Sequence, residues 1–210
     1  IWLNEGFATY CEALYAEYSA GKEALQSVMV GKFDEDFKGK LYDPGDNLFS
    51  NTVYEKGGWV LHMLRRETGD TAFYKILRNY FEKYKYSNAS TKNFIDICEE
   101  ISGKDLTKFF DQWVYTGDDI INLDYSWSVE KSGNEFITTI ELNQTQKKYD
   151  TYNFQIDILL IAGDENLLKT FYVDSKSQKI EIRSEINPQE VVLDPYNWLL
   201  ANTYDKNLTE

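Results

Sequence analysis

A change in the spacing of apolar residues near residue 120 constrains the fold of this 210-residue chain more than any other feature. Before it, apolar residues recur at helical spacing, as in Leu3, Phe7, Tyr10, Cys11, Leu14 and Tyr18. After it, apolar and polar residues alternate, as around Tyr125, Trp127 and Val129. Alternation is typical of half-buried strands. The sequence therefore predicts an α+β fold, with helices first and strands second.

Capping residues and glycines divide the helical half into separate elements. The first helix is predicted from about Leu3, with Asn4 as a candidate cap, to a stop at Gly21. Further helices are predicted over Lys22 to Phe37, Val53 to Glu67, a segment through Tyr84, Ser90 or Thr91 to Ile101, and Leu106 to Val114. A turn-rich loop containing Pro44 separates the second helix from the third.

Turn signals at Ser132-Gly133-Asn134 and at Gly163-Asp164 predict hairpins in the β half. The strands and turns together favour a small antiparallel β-sandwich of roughly 80 residues. The boundary falls between Thr116 and Leu123. We therefore assign residues 1–118 to a helical domain and residues 119–210 to the β-sandwich.

The composition argues against two classes of partner. The chain has 35 acidic and 22 basic residues and a net charge of −13, which repels phosphate backbones and makes nucleic acid an unfavourable partner. It also lacks an apolar run long enough to predict a membrane span. Because the chain begins at Ile1, inside a periodic apolar segment, we expect it to be part of a longer protein. Localisation is left open.

The few histidines and cysteines limit the chemistry that this chain can perform alone. Cys11 and Cys98 fit neither a CxxC metal motif nor a dense disulfide framework, and their apolar surroundings predict two buried thiols. His62 is the single histidine and has no recognisable nucleophile motif near it. We expect it in the core or on a helix surface. One histidine with scattered carboxylates does not predict a self-contained metal site.

Glu5 is an acid in the first turns of an apolar helix. Burying it unpaired would cost on the order of several kcal/mol, so it must face water, a cation or a hydrogen-bond donor. One explanation is that it is solvated and stabilised by the helix dipole. The surrounding string WLNEGFATY favours another explanation. It resembles the helix that supplies the third zinc ligand in the M1 family of gluzincin aminopeptidases, and Glu5 matches the ligand position.

A second match supports the resemblance. The segment VYEKGGWVLHMLRRETG resembles the M1 helix start whose tyrosine stabilises the oxyanion of the tetrahedral intermediate, and Tyr54 matches that tyrosine. In this context Gly6 is explained by a closely packed neighbouring helix, or simply by tolerance of glycine in helices. FFDQWVYTG and the strand half also look like the corresponding parts of compact bacterial members.

The resemblance implies the helical lobe of a thermolysin-like catalytic domain followed by a β-sandwich, within a zinc enzyme that removes N-terminal residues from peptides. Glu5 would bind zinc and Tyr54 would act in catalysis. The HExxH motif and the GxMEN-type stretch of the family do not occur in this chain. We therefore expect the rest of the same longer protein to complete the site, and the isolated chain to be inactive and to bind no zinc tightly.

Three alternatives are kept. The chain could come from a non-catalytic relative that lacks HExxH, or from a related hydrolase on the same scaffold, such as a glycyl aminopeptidase or an epoxide hydrolase. It could also be an adhesion module with a purely structural helical half. Against adhesion, Trp127 and Trp198 lie in strand-like patterns that favour core packing over sugar stacking.

Overall fold

The computed structural model describes residues 1–208. The first part contains six α-helices: α1 (Trp2–Ala20), α2 (Lys22–Gly31), α3 (Gly57–Thr68), α4 (Asp70–Tyr84), α5 (Thr91–Ser102) and α6 (Thr107–Phe110). Two five-residue π-helical segments, Thr52–Lys56 and Asp111–Tyr115, lie directly before α3 and directly after α6. Seven strands follow: β1 (Ile121–Ser132), β2 (Glu135–Gln144), β3 (Phe154–Ala162), β4 (Glu165–Val173), β5 (Ser177–Ser184), β6 (Glu190–Leu193) and β7 (Ala201–Asp205). A 3-10 turn, Lys206–Leu208, ends the described part.

The predicted α+β class is confirmed, since every helix of four or more residues precedes every strand. The chain divides into two compact units between Asp118 and Asp119. We refer to them as the helical unit and the β unit. Within residues 1–208, no helix combines the length and the apolar character that a membrane crossing requires.

Helix α1 is the centre of the helical unit and packs against both α2 and α3. Its buried residues recur at helical spacing: Trp2, Gly6, Thr9, Tyr10 and Ala13. The prediction that the second helix continues to Phe37 was wrong, because α2 ends at Gly31. Phe37 is nevertheless only 2% exposed, so its burial comes from the loop that follows α2.

An ion-pair network around a buried arginine ties α1 to α3 and α4. Arg65, which is 2% exposed, donates to Glu17 at 2.6 Å and to Asp70 at 2.8 Å. The hydroxyl of Tyr74 also donates to Glu17, at 3.1 Å. The hydrogen bond from Arg65 holds the pKa of the Glu17 carboxyl below its usual range. This network therefore stabilises the helical unit most when Glu17 is ionised.

The predicted cap of α5 is confirmed. Ser90 accepts a hydrogen bond from the backbone N–H of Asn93, and the Asn93 side chain accepts one from the backbone of Ser90, which completes a capping box. Gly103 ends α5 in the left-handed conformation, with φ of 69°. Sequence signals of this kind are local, and here they locate both ends of the helix.

The β unit consists of two sheets with strand orders β5-β2-β1-β7 and β4-β3-β6. Both predicted hairpins are present, and Gly133 and Gly163 adopt positive φ at their turns. A buried hydrogen bond from the Tyr125 hydroxyl to the Val191 carbonyl, 3.0 Å long, joins the sheets. Within residues 1–208, β7 departs from the antiparallel expectation because it pairs parallel with β1.

The tryptophans of the β unit are half-buried. Trp127 lies in β1, where its indole N–H donates to Asp205 at 3.3 Å. Trp198 was predicted in a strand-like pattern, but it lies in the turn between β6 and β7. The Asp194 carboxylate accepts the backbone N–H groups of Trp198 and Leu199 there, at 2.9 and 2.8 Å.

Candidate active site

Helix α1 carries Glu5 in its first turn, on the border of its buried face. The indole N–H of Trp2 donates to the hydroxyl of Thr91 at 3.0 Å, which ties the start of α1 to the start of α5. Glu5 itself is half-buried. The N-terminal end of a helix favours a negative charge. The fold therefore holds the Glu5 carboxylate partly accessible at a defined point near the start of α1.

A glycine contact brings α1 and the start of α3 together next to Glu5. A Cβ atom built on Gly6 would lie 2.8 Å from the carbonyl carbon of Gly57 and 3.0 Å from its Cα and oxygen atoms. A Cβ on Gly57 would lie 3.0 Å from the Cα of Gly6. Because both glycines lack side chains, the two backbones touch. The close-packing explanation of Gly6 is thus supported by the geometry.

Tyr54 lies in the middle of the π-helical segment that precedes α3. Such segments occur frequently at functional sites. Both the N–H and the carbonyl of Lys38 hydrogen bond to the Thr52 hydroxyl, at 3.1 and 2.9 Å, and this fixes the start of the segment. Tyr54 is half-buried. The segment therefore presents the phenol from a defined backbone position.

The fold brings Glu5 and Tyr54 together, because the segment with Tyr54 runs directly into the glycine contact beside Glu5. Helix α1 packs against the π-helical segment, and the Glu5 carboxylate lies close enough to the Tyr54 hydroxyl to influence its pKa. Desolvation, then the negative charge of Glu5 and its capacity to accept a hydrogen bond, raise the pKa of the Tyr54 hydroxyl above its usual value. The result is a carboxylate beside a phenol that remains protonated and can donate a hydrogen bond.

This pair does not form a complete metal site. Structural and catalytic zinc sites use at least three protein ligands. Among residues 1–208, no group of three or more His, Cys, Asp or Glu side chains could hold a metal ion. The Glu5 carboxylate has the chemistry of one zinc ligand.

The single histidine lies away from this pair, in the core. His62 is fully buried, its Nδ1 lies 3.2 Å from the Tyr10 hydroxyl, and its ring packs edge-on against Trp59. The core placement is one of the two that the sequence predicted. The expectation of two buried thiols was half wrong, because Cys98 is buried but Cys11 is exposed.

Two features of the site were not assigned from the sequence. One is the role of Gly57 as the contact partner of Gly6, for which the Gly57-Gly58 pair is the only local signal. The other is Lys56, a fully buried lysine whose ammonium donates to the carbonyl of Gly117 at 2.9 Å. Full burial is unusual for a lysine.

Residues 1–113 match the Peptidase family M1 domain. Aminopeptidase N of Lactococcus lactis subsp. lactis is 33% identical over 138 residues, which cover 54% of this chain and 15% of that protein. Aminopeptidase M1-D of Oryza sativa subsp. japonica is 26% identical over 221 residues, which cover 96% of this chain and 24% of that protein. The chain thus spans a quarter or less of the length of these relatives.

The fold has a solved counterpart. Aminopeptidase A of Legionella pneumophila, crystallised in complex with aspartic acid, superimposes with a TM-score of 0.75 over 96% of this chain and 24% of that chain, at 16% identity. At this identity the likeness concerns the fold alone. The match to the family domain, in contrast, is one of sequence, and it extends over more than half of the 210 residues. The chain therefore belongs to peptidase family M1.

Proposed function

We propose that this chain is the part of an M1 zinc aminopeptidase that follows the metal-binding helix, and that it supplies Glu5 and Tyr54 to the active site. The observation that carries the proposal is the Glu5–Tyr54 pair, which the contact between Gly6 and Gly57 holds together in a chain of the M1 family. The parent protein would remove N-terminal residues from peptides.

Glu5 would hold zinc through its carboxylate as one of three protein ligands, and the remaining N-terminal part of the same longer chain would supply the other two. Zinc, when bound, supplies a Lewis acid that activates water for attack on the peptide bond. The rigid first turn of α1 orients the Glu5 carboxylate so that little reorganisation is needed on metal binding.

Tyr54 donates a hydrogen bond from its hydroxyl to the oxyanion that develops on the scissile carbonyl. A preorganised donor aimed at a developing charge is worth about a hundredfold to a thousandfold in kcat. The π-helical segment suits this role because the side chains of its first and last residues, Thr52 and Lys56, hydrogen bond to backbone groups of Lys38 and Gly117.

The isolated 210 residues neither hold zinc tightly nor hydrolyse peptides, since they carry one ligand of the three. This expectation is checked by measuring bound metal and the hydrolysis of aminoacyl p-nitroanilides by the 210-residue chain. Stoichiometric zinc with turnover would contradict it.

The catalytic role of Tyr54 is tested in the longer protein that contains this chain, by Tyr54→Phe. We expect kcat for an aminoacyl p-nitroanilide to fall by about a hundredfold or more while zinc content stays at the wild-type level. The matched control is Tyr15→Phe, an exposed tyrosine of α1, which should leave kcat unchanged. Activity of the Tyr54→Phe variant equal to that of the control would refute the proposed role.

A further inference from the structure

Lys56 is the last residue of the π-helical segment and follows Tyr54 by two positions. Its side chain is fully buried, and its ammonium donates a hydrogen bond of 2.9 Å to the carbonyl of Gly117. Gly117 is also buried, and it lies just beyond the second π-helical segment, Asp111–Tyr115. The lysine thus connects the segment that carries Tyr54 to a part of the helical unit that is 61 positions away in sequence.

Packing alone does not explain a lysine at this place. An ammonium group loses favourable hydration when it is buried, whereas an unbranched apolar side chain of similar length would fill the same space without that loss. The ammonium instead provides a directional hydrogen bond, because it donates to one particular backbone carbonyl. The lysine therefore serves more to fix the position of the backbone segment than to stabilise the fold.

The segment around Tyr54 is fixed at both of its ends. At its start, the Thr52 hydroxyl exchanges two hydrogen bonds with the backbone of Lys38. At its end, Lys56 reaches Gly117. A π-helical turn is rare and depends on its surroundings. Tyr54 lies midway between the two fixed ends, so a shift at either end displaces its hydroxyl relative to Glu5.

We propose that Lys56 is a positioning residue for Tyr54: its hydrogen bond to the Gly117 carbonyl holds the π-helical segment in the register that places the Tyr54 hydroxyl beside Glu5. Lys56 acts through Tyr54 and does not touch the substrate. Its effect on catalysis rests on the proposed function of Tyr54, whereas its effect on the position of Tyr54 does not.

The position of Tyr54 is measured without any activity assay. 3-Fluorotyrosine is placed at position 54 of the 210-residue chain, and its ¹⁹F resonance is recorded in the wild type, in Lys56→Met and in Arg65→Met. The arginine variant is the matched control, because it also removes a buried cation from the same helical stretch but leaves the Gly117 contact intact. Circular dichroism confirms that each variant is folded.

We expect Lys56→Met to move the ¹⁹F resonance at least halfway towards its position in the urea-unfolded chain. Arg65→Met should lower the urea midpoint of unfolding but leave the ¹⁹F resonance where it is in the wild type. A folded Lys56→Met chain with the wild-type resonance would overturn the proposal. If Lys56→Met does not fold, Lys56→Gln decides. Its amide ends one bond short of the lysine nitrogen and cannot reach the Gly117 carbonyl in the same way, and an unmoved resonance in this folded variant would equally overturn the proposal.

Kinetics of the longer protein separate this proposal from the function proposed above. With Lys56→Met, kcat should fall by about tenfold or more, as expected for a misplaced catalytic group, while KM stays within about twofold. A moved resonance together with an active Tyr54→Phe variant would leave the positioning role standing and refute the catalytic role of Tyr54. A large loss of activity in Tyr54→Phe with an unmoved resonance in Lys56→Met would support the catalytic role of Tyr54 and refute the positioning role of Lys56.

Discussion

Replacing Gly6 with alanine should destabilise the helical unit, although alanine favours helices. The new Cβ would lie 2.8 Å from the carbonyl carbon of Gly57, whereas non-bonded carbon atoms prefer about 3.5–4.0 Å. The neighbour is backbone, which cannot rotate away, so α1 and α3 must separate by roughly an ångström. Overpacking of this kind costs about 3 kcal/mol at the upper end of its usual range, and the gain in helix propensity offsets about 1 kcal/mol.

The expected net loss in the free energy of unfolding of the helical unit is therefore about 2 kcal/mol. For a domain of roughly 120 residues this lowers the melting temperature by roughly 8 °C. Urea unfolding of the 210-residue chain, followed by circular dichroism at the helical minimum, measures it. The matched control is Gly31→Ala, because Gly31 is an exposed helical glycine with no atom within 4 Å of a built Cβ. It should be neutral or stabilising by up to about 1 kcal/mol. Equal stability of the two variants would refute the backbone contact between α1 and α3.

Two further predictions concern stability. Arg65 lowers the pKa of Glu17 in the folded state. The ionised Glu17 therefore stabilises the fold fully at a pH above its unfolded-state pKa, and this stabilisation is lost as the pH falls through its folded-state pKa. Urea titrations at successive pH values below about 4.5 should therefore show a shallower loss of stability for Glu17→Gln than for the exposed control Glu100→Gln; parallel curves would contradict this. Ser90→Ala should lower the free energy of unfolding by about 1 kcal/mol in the same assay, against a few tenths for the exposed Ser87→Ala, and equal losses would refute the cap.

The α+β order could be predicted because periodicity and capping are local. Ser90 and Gly103 marked the ends of α5 correctly for the same reason. Periodicity failed at Phe37, which is buried by a loop and not by a continued helix. It also failed to predict the exposure of Cys11. Helix α1 has apolar residues outside its buried face, and their spacing does not show which face packs against another element.

The candidate site was predicted only as two separate positions. Local sequence motifs pointed to Glu5 and Tyr54, but the contact that joins them depends on two backbones meeting at Gly6 and Gly57. Such a contact depends on tertiary packing between distant segments, which local spacing does not encode. The parallel pairing of β7 with β1 escaped prediction for the same reason, since the partner strand lies far away in sequence.

The role of Glu5 as a zinc ligand is tested most directly by the zinc content and zinc affinity of the longer protein that contains this chain. Wild type should bind about one zinc per chain, and Glu5→Gln should lose at least about tenfold in affinity, because the amide replaces an anionic ligand with a neutral one. Glu12→Gln, at an exposed position of the same helix, should bind zinc like the wild type. Wild-type zinc stoichiometry and affinity in Glu5→Gln would contradict the assignment.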